Sequence, residues 1–431
     1  MRFVYTLFFY LAIPFILLRL LWRSLRASAY AKRWAERFGF FSSVVLNKST
    51  AVKKATTKKI VWLHTVSVGE FIAALPLIKQ LQANPGLQLV ITTTTPTGSE
   101  RVQTSLGNSV FHVYAPYDLP DVIARFLRRT KPALLLIMET ELWPNTIAAC
   151  AQGDIPILLV NGRMSKKSAD GYKKFSALTR PMLQSLSLAL VQNKEDAARF
   201  NDLGLPVAQT YITGNIKFDV TLTDELREQA AQLKQQWSQN GERIIWIAAS
   251  THQGEDEIIL EAFVQVKKQI KNLLLVIVPR HPERFASVGN LCASRGFNVV
   301  KRSAGQVTTA TDIIIGDTMG ELILLFGASD IAFVGGSLVP NGGHNFIEPA
   351  AWQLPLLSGM HVFNFAEVSR LLLDVGGLTL VHSASELAEQ ITAIVVNEAE
   401  RHKRGLAALT VVNENRGALQ KTLDVINPFL K

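Results

Sequence analysis

A chain of 431 residues that is 48% hydrophobic and 19% charged is too long for one ordinary core and too apolar for disorder, so two packed domains are expected. Its two cysteines, Cys150 and Cys292, each lie in an apolar helical stretch and offer neither a disulfide framework nor metal-ligand spacing. The net charge of +10 is local: residues 1–60 hold 12 of the 45 Lys and Arg but one acidic residue, Glu36, leaving 33 basic against 34 acidic residues beyond, which excludes a nucleic-acid footprint spread over the body.

The first element is apolar. Residues 3–18 are interrupted only by Thr6 and Pro14, and the run continues past Arg19 through Leu20-Leu21-Trp22. A helix crossing the hydrocarbon takes about 20 apolar residues, so the run is marginal for a full span, long for a signal-peptide core, and followed by no small-residue cleavage site. A retained anchor or deeply seated interfacial helix is expected over residues 1–22, then a basic membrane-proximal segment over 23–58. Arg19, Arg23, Arg26, Lys32, Arg33 and Arg37 lie on its carboxyl side, which by the positive-inside bias puts the body in the cytoplasm against an anionic membrane surface. Residues 48–59 read as an exposed connector.

From Lys59 short β-rich runs alternate with amphipathic stretches: 60–64, 87–93, 110–114, 134–138, 155–160 and 186–192. Such alternation predicts a parallel sheet covered by helices. After a polar helix near 221–240 the series restarts at 244–248, 273–278, 297–300, 313–315, 331–334 and 354–357, which predicts a second doubly wound domain with the boundary within 215–223. Two last helices are expected over 384–396 and 398–423.

Seven polar clusters fall at the ends of these runs. None is a glycine-rich dinucleotide or P-loop fingerprint, which argues against a dehydrogenase or an ATPase. In the first, a strand passes through Ser67 and a glycine turn at Gly69 to Glu70, on the first turn of a helix at the carboxyl edge of a sheet, where ligands bind in open α/β folds. A glutamate there also simply stabilises the helix by facing the positive end of its dipole. In the second, Met138-Glu139-Thr140-Glu141-Leu142-Trp143-Pro144-Asn145, an apolar strand ends in carboxylates. In a regular strand Glu139 and Thr140 would point to opposite faces, and Glu141 with Pro144 also fits a helix start. The third, residues 213–219, puts Lys217 at the domain boundary, either as a point charge for an anionic substrate or as a solvated linker lysine.

The second domain contributes four clusters. Ser250-Thr251-His252-Gln253-Gly254-Glu255 forms a strand-to-helix loop whose amides suit a phosphate or, equally, a simple N-cap. Pro279-Arg280-His281-Pro282-Glu283-Arg284 fixes its backbone with two prolines and presents the Arg280 guanidinium at a sheet edge, where bidentate phosphate binding would use it. Residues 316–322 and 335–350 are glycine-dense, and Glu321 and Glu348 on the helices that follow are candidates to accept hydrogen bonds from sugar hydroxyls. All seven clusters are expected to face one cleft.

The stretches His64-Thr65-Val66-Ser67-Val68-Gly69-Glu70, Thr94-Thr95-Pro96-Thr97-Gly98-Ser99, 138–145, Lys217-Phe218-Asp219, 279–284 and Gly342-Gly343-His344-Asn345 before Glu348, behind an apolar anchor, resemble the 3-deoxy-D-manno-octulosonic acid (Kdo) transferases of lipid A biosynthesis. The resemblance spans nearly the whole chain, and Glu70 in its Val-Ser-Val-Gly-Glu setting is its most specific element. Thr65, Asn215 and Phe346 depart from the family's usual residues. The resemblance implies an α/β fold of GT-B type: two doubly wound Rossmann-like domains facing a cleft, with an N-terminal membrane-anchor helix. The acceptor-binding domain would cover 59–218 and the CMP-sugar-binding domain 219–431, the last helix being a candidate to pack back on the first domain. The implied reaction is inverting transfer of Kdo from a CMP-Kdo donor to a tetraacyldisaccharide lipid A precursor, lipid IVA, in lipopolysaccharide core biosynthesis. It implies a place at the inner membrane, with the catalytic body on the cytoplasmic side. Glu70 would be the general base, and Glu139 and Lys217 would stabilise the transition state. Pro279, Arg280, Gly320, Glu321, Leu322, Asn345, Phe346, Ile347 and Glu348 would bind the CMP moiety. No cofactor, metal or nucleic-acid partner is implied. Two other assignments share the fold: a UDP-sugar glycosyltransferase, separable by competition with CMP and UDP, and a nonhydrolysing sugar-nucleotide epimerase, which would turn over without a lipid acceptor.

Overall fold

The alternating runs fold into two parallel seven-stranded sheets, each belonging to its own unit. The structure, a computed structural model, describes residues 1–26, 28–42 and 58–431, so most of the connector expected at 48–59 lies outside the described residues. The first unit comprises Met1–Lys217 and Arg416–Lys431, and the second Phe218–Asn415. The carboxyl-terminal helix assigned from sequence to the 219–431 domain is thus counted with the first unit.

In the first sheet the strands are β1 (Lys59–His64), β2 (Leu87–Thr93), β3 (Phe111–Tyr114), β4 (Leu134–Met138), β5 (Ile157–Gly162), β6 (Leu188–Val191) and β7 (Thr210–Ile212), in the order β3-β2-β1-β4-β5-β6-β7. Successive side chains enter different cores. Trp62, Val90, Leu135 and Ile137 pack on one face, and Val61, Leu63, Leu89, Leu134 and Leu136 on the other. Burial on both faces is why these strands read as continuous apolar runs rather than alternating ones.

The second sheet contains β8 (Ile244–Thr251), β9 (Leu273–Pro279), β10 (Val299–Lys301), β11 (Ile313–Ile315), β12 (Ile331–Val334), β13 (Leu356–Ser358) and β14 (Leu378–Leu380), in the order β10-β11-β9-β8-β12-β13-β14. Its residues divide in the same way, Ile245, Ile247 and Val276 to one core and Trp246, Ala248 and Leu275 to the other. The edge strands β7 and β14 were not expected from sequence. Each has three residues, and Tyr211 and Ile212 of β7 are exposed, so no apolar run marks it. The single helix expected over 398–423 is two, Glu398–Asn415 and Ala418–Leu430, because Gly417 takes a left-handed φ of +92° between them. The second of these buries Ala418 and Ile426 in the same core as Leu77 and Ile78.

The amino-terminal helix, Arg2–Arg26, has two unlike faces. On one, the Tyr5 hydroxyl donates to Asp118 Oδ2 (3.0 Å), Thr6 Oγ1 to Asn145 Oδ1 (3.1 Å) and the Tyr10 hydroxyl to Asp121 Oδ1 (2.6 Å). On the other, Phe3, Leu7, Phe8, Leu11, Phe15, Leu18 and Leu25 are exposed. With a mean hydropathy of 2.0 over its most apolar 18 residues, this is the one helix among the described residues long and apolar enough to cross a membrane.

Two of the basic residues expected at the membrane surface are engaged elsewhere. Arg37 is 6% exposed; its Nη2 donates to the Thr94 carbonyl (2.9 Å) and its guanidinium lies 4.1 Å from the Tyr114 ring centre. Arg33 pairs with Glu36 (2.6 Å) and donates to Ser99 Oγ (2.8 Å) and the His112 carbonyl (3.1 Å). A planar guanidinium binds carbonyls and aromatic faces as readily as lipid phosphate, and composition does not distinguish these fates. Arg19 and Lys32 are exposed.

Candidate active site

The strand order of the first sheet reverses between β1 and β4, and in open α/β sheets the crevice at such a reversal is where ligands bind. Glu70 follows β1 and Glu139 follows β4. Ser67 caps the helix Val68–Gln82: its Oγ accepts from the Glu70 amide (3.2 Å) and donates to Glu70 Oε1 (2.7 Å), while the Val66 amide donates to Glu70 Oε2 (2.9 Å). Glu70 therefore does take part in a reciprocal cap resembling a capping box, with its return bond made to the Val66 amide. It is also only 8% exposed. Burial, reinforced by the nearby charges of Glu141 and Glu139, pushes its carboxyl up to about 7 against the opposing pull of the Val66 and Ser67 hydrogen bonds. A helix cap has no use for a carboxyl that exchanges its proton near neutrality, whereas proton transfer does.

β4 ends at Met138, and Glu139 adopts a left-handed φ of +54°. That turn removes the strict alternation that would have set Glu139 and Thr140 on opposite faces, and a non-glycine residue held there stores backbone strain. Glu139 Oε1 receives Lys217 Nζ at 2.7 Å. Lys217 sits in a 3₁₀ turn, Ile216–Phe218, whose amides are fixed from both sides: Lys217 N donates to Asn215 Oδ1 (3.0 Å) and Ile216 N to Asn161 Oδ1 (3.0 Å). It is not a solvated linker lysine. Asn161 was missed from sequence; fully buried at φ +55°, it lies in β5 where the register with β6 shifts. Glu141 was read as one of the carboxylates ending the strand or as a helix-start residue, and was given no role. Burial raises its carboxyl too, and the Trp143 indole donates to its Oε2 (3.1 Å).

In the second sheet the order reverses between β8 and β12. Beside β8, strand β9 delivers Pro279 and then Arg280, whose amide donates to the Thr251 carbonyl (3.0 Å). The Arg280 guanidinium is exposed and has no hydrogen-bond partner among the described residues. Arg284 differs: it donates to the same Thr251 carbonyl (2.8 Å) and forms an ion pair with buried Asp256. Of the two, Arg280 is the one available to a ligand. Gly320 is left-handed at φ +86°, and Glu321, beside it, accepts from Thr318 Oγ1 and faces Arg302 at 3.4 Å. Leu322 begins the short helix Leu322–Gly327. Asn345 bridges its own turn, donating through Nδ2 to Glu348 Oε1 (3.0 Å) and accepting from the Ile347 amide (2.9 Å), while burial raises the Glu348 carboxyl. Phe346 and Ile347 are fully buried with Val334 and Ala350 in the core, so they present only main chain to a ligand. Two histidines left out of the sequence-based site, His252 and His344, meet at this reversal. Among the described residues no group of three or more His, Cys, Asp or Glu is arranged to hold a metal ion.

Two doubly wound units with polar strand ends are the architecture of the GT-B glycosyltransferases. Solved structures similar to this chain include a glycosyltransferase from Rickettsia africae ESF-5, with 16% identity, TM-score 0.53 and coverage of 87% of this chain and 100% of the other. They also include UDP-GlcNAc 2-epimerase from Neisseria meningitidis bound to UDP-GlcNAc, with 15% identity, TM-score 0.55 and coverage of 85% and 100%. At such identities the likeness shows the fold alone and does not separate a transferase from an epimerase. The sequence separates them. The family model described as 3-Deoxy-D-manno-octulosonic-acid transferase (kdotransferase) matches residues 32–220. The 3-deoxy-D-manno-octulosonic acid transferase of Haemophilus influenzae (strain Rd) is 43% identical over 433 residues, covering 100% of this chain and 99% of its own length. The chain belongs to the Kdo transferase family and is a glycosyltransferase.

Proposed function

We propose that this enzyme moves Kdo from CMP-Kdo to a hydroxyl of the tetraacyldisaccharide lipid A precursor, lipid IVA, with inversion at the anomeric carbon. It does so in lipopolysaccharide core biosynthesis, on the cytoplasmic side of the inner membrane. The observation that carries the proposal is the Glu70 carboxyl, which burial pushes up to about 7 at the strand reversal of the first sheet. A general base is most effective when its pKa lies near the working pH. The Glu70 carboxylate takes the proton of the acceptor hydroxyl as that oxygen attacks the anomeric carbon. The new C–O bond forms opposite the bond to the phosphate oxygen, which breaks and leaves its electron pair on CMP. Lys217, steadied by Glu139 at 2.7 Å, supplies a fixed positive charge to an anionic transition state, and Arg280 receives the departing phosphate.

Support for membrane attachment comes from the exposed apolar face of the helix Arg2–Arg26. Removing a Leu or Phe side chain from water yields about 1.5–3 kcal/mol, against about 1 kcal/mol for a basic residue near an anionic surface, so that face dominates the attachment.

The test is to incubate the purified chain with CMP-Kdo and lipid IVA, weigh the lipid product by mass spectrometry and assign its anomeric configuration by NMR. A product heavier by one or more Kdo units with inverted configuration is expected. Retained configuration would overturn the direct displacement, and transfer from UDP-sugars in preference to CMP-Kdo would overturn the donor.

A further inference from the structure

At the strand reversal of the second sheet, the loop after β8 carries His252 and the loop after β12 leads to His344. Their Nε2 atoms lie 2.8 Å apart, with ring planes inclined by 3° and ring centres 5.0 Å apart. Only one hydrogen fits between two nitrogens at that separation, so one ring donates and the other accepts.

The arrangement is built by the surrounding backbone. Fully buried Glu255 accepts four amides, from His252 (2.9 Å) and Gly336 (2.6 Å) at Oε2 and from Ser337 and Leu338 (both 2.9 Å) at Oε1, which locks one histidine loop to the other. The Gly343 amide donates to the Gly336 carbonyl (2.8 Å), bringing His344 over Gly336. A Cβ on Gly336, itself at φ +71°, would come within 2.9 Å of His344 Cδ2 and 3.0 Å of its Nε2. This side chain's absence is what lets the two rings meet.

The permanently charged groups facing His252 are two guanidiniums and one carboxylate. The His281 ring approaches His252 edge-on at 5.4 Å, and Arg280, Arg284 and His281 act on His252 against one carboxylate, Glu255. Arg280 and His281 also act on His344. Burial, with the positive charge of Arg280 beside it, lowers both imidazoles, His344 to about 4, so at neutral pH the empty pair is uncharged. A phosphate at Arg280 offsets the guanidinium's share of that shift and places negative charge beside the rings, which favours their protonated form.

We propose that His252 and His344 form a proton-gated phosphate clamp. On binding the phosphate monoester of a nucleotide the pair takes one proton from solvent, the hydrogen bond between the rings opens, and both Nε2–H groups become donors to phosphate oxygens. The proton balance closes. The empty pair holds one hydrogen between its Nε2 atoms; the added proton goes to the accepting nitrogen, giving one imidazolium and one neutral imidazole that each carry Nε2–H. The clamp rests on the assignment of CMP binding to this unit, and it adds the proton as a second ligand.

The experiment is calorimetric titration of the full-length chain with CMP at pH 7.5, in two buffers of different ionisation enthalpy. The second phosphate pKa is about 6, so CMP is already the dianion and any proton taken up belongs to the protein. Uptake approaching one proton per CMP is expected, and CMP affinity should fall about tenfold per pH unit once linkage is complete. His252→Gln and His344→Gln should bind CMP more weakly, without proton uptake and with a flat pH dependence. CMP binding by the wild type without proton uptake would overturn the clamp while leaving the nucleotide site standing, as would uptake unchanged in both variants. Failure of the wild type to bind CMP at all would overturn the nucleotide site and the clamp with it. Histidine ¹⁵N spectra of the wild type need no substitution. They should show one new imidazolium on adding CMP, and its absence would sink the clamp even if both variants failed to fold.

Discussion

The two sheets differ in strand order at one edge, yet each reverses beside its first strand, and the side chains gathered at the two reversals are of opposite character. In the first unit the reversal gathers Glu70, Glu139 and Glu141, and burial with mutual repulsion pushes Glu70 up to about 7. In the second it gathers His252, His344 and Arg280, and burial with mutual repulsion pushes His344 down to about 4. On the roles proposed above, one unit prepares a carboxylate to accept a proton and the other keeps imidazoles neutral until an anion arrives. The same kind of reversal would therefore serve two chemistries, and the difference lies in which side chains the strand ends deliver.

The sharpest way to break this contrast is to remove the acidic side of it. Glu70→Gln should lower turnover about 100- to 10,000-fold, the range for losing a general base, while CMP affinity stays within about twofold. The substitution is informative because glutamine serves a capping box as well as glutamate does, so the helix Val68–Gln82 keeps its start. Near-normal turnover in this variant would reduce Glu70 to a cap.

On the cationic side, Arg280→Ala should cost less. Losing a charge-assisted contact to phosphate costs about 1.5–3 kcal/mol, or about 10- to 150-fold in kcat/KM, with CMP inhibition weakened in parallel because the contact exists in ground and transition states alike. Unchanged CMP inhibition would exclude Arg280 from the phosphate site. A milder test uses pH alone. The proposed base is the Glu70 carboxylate, so the rate should rise with pH, climb about tenfold per unit well below 7 and level off above it. A rate already level from pH 5 would show that no group with this raised pKa carries the reaction.

How much of this could be read from sequence follows from which contacts are local. Strands buried on both faces announce themselves as apolar runs, and Glu70, Glu139, Lys217 and Arg280 stand just beyond such runs or at a boundary between them. What escaped depends on segments distant in the chain. Asn161 matters because its side chain receives the amide of Ile216, and Glu255 because it ties its own loop to residues 336–338. His252 and His344, 92 positions apart, are unremarkable singly and meet only through that tie. Phe346 and Ile347 show the converse. The resemblance implied them at the CMP moiety, and the fold uses their side chains as core, leaving main chain for a ligand.

Besides Lys217, which is paired with Glu139 at the reversal point, the first unit has cations away from it, and these lead to the smallest predicted effect. Arg19 and Lys32 are exposed, while Arg37 is buried against Tyr114 and the Thr94 carbonyl. Replacing Arg19 and Lys32 together by Gln should weaken binding to anionic vesicles by about 1 kcal/mol for each charge near the surface and flatten its salt dependence, with the melting temperature unchanged. Arg37→Gln should do the opposite, lowering stability by about 2 kcal/mol through the lost carbonyl and ring contacts while leaving the salt dependence of vesicle binding as in the wild type. Vesicle co-sedimentation across ionic strength, paired with thermal melting, separates the two outcomes. If Arg37→Gln shifted the salt response as much as the double variant, Arg37 would have to leave its pocket on the membrane, and the division of the first unit's cations between fold and surface would fail.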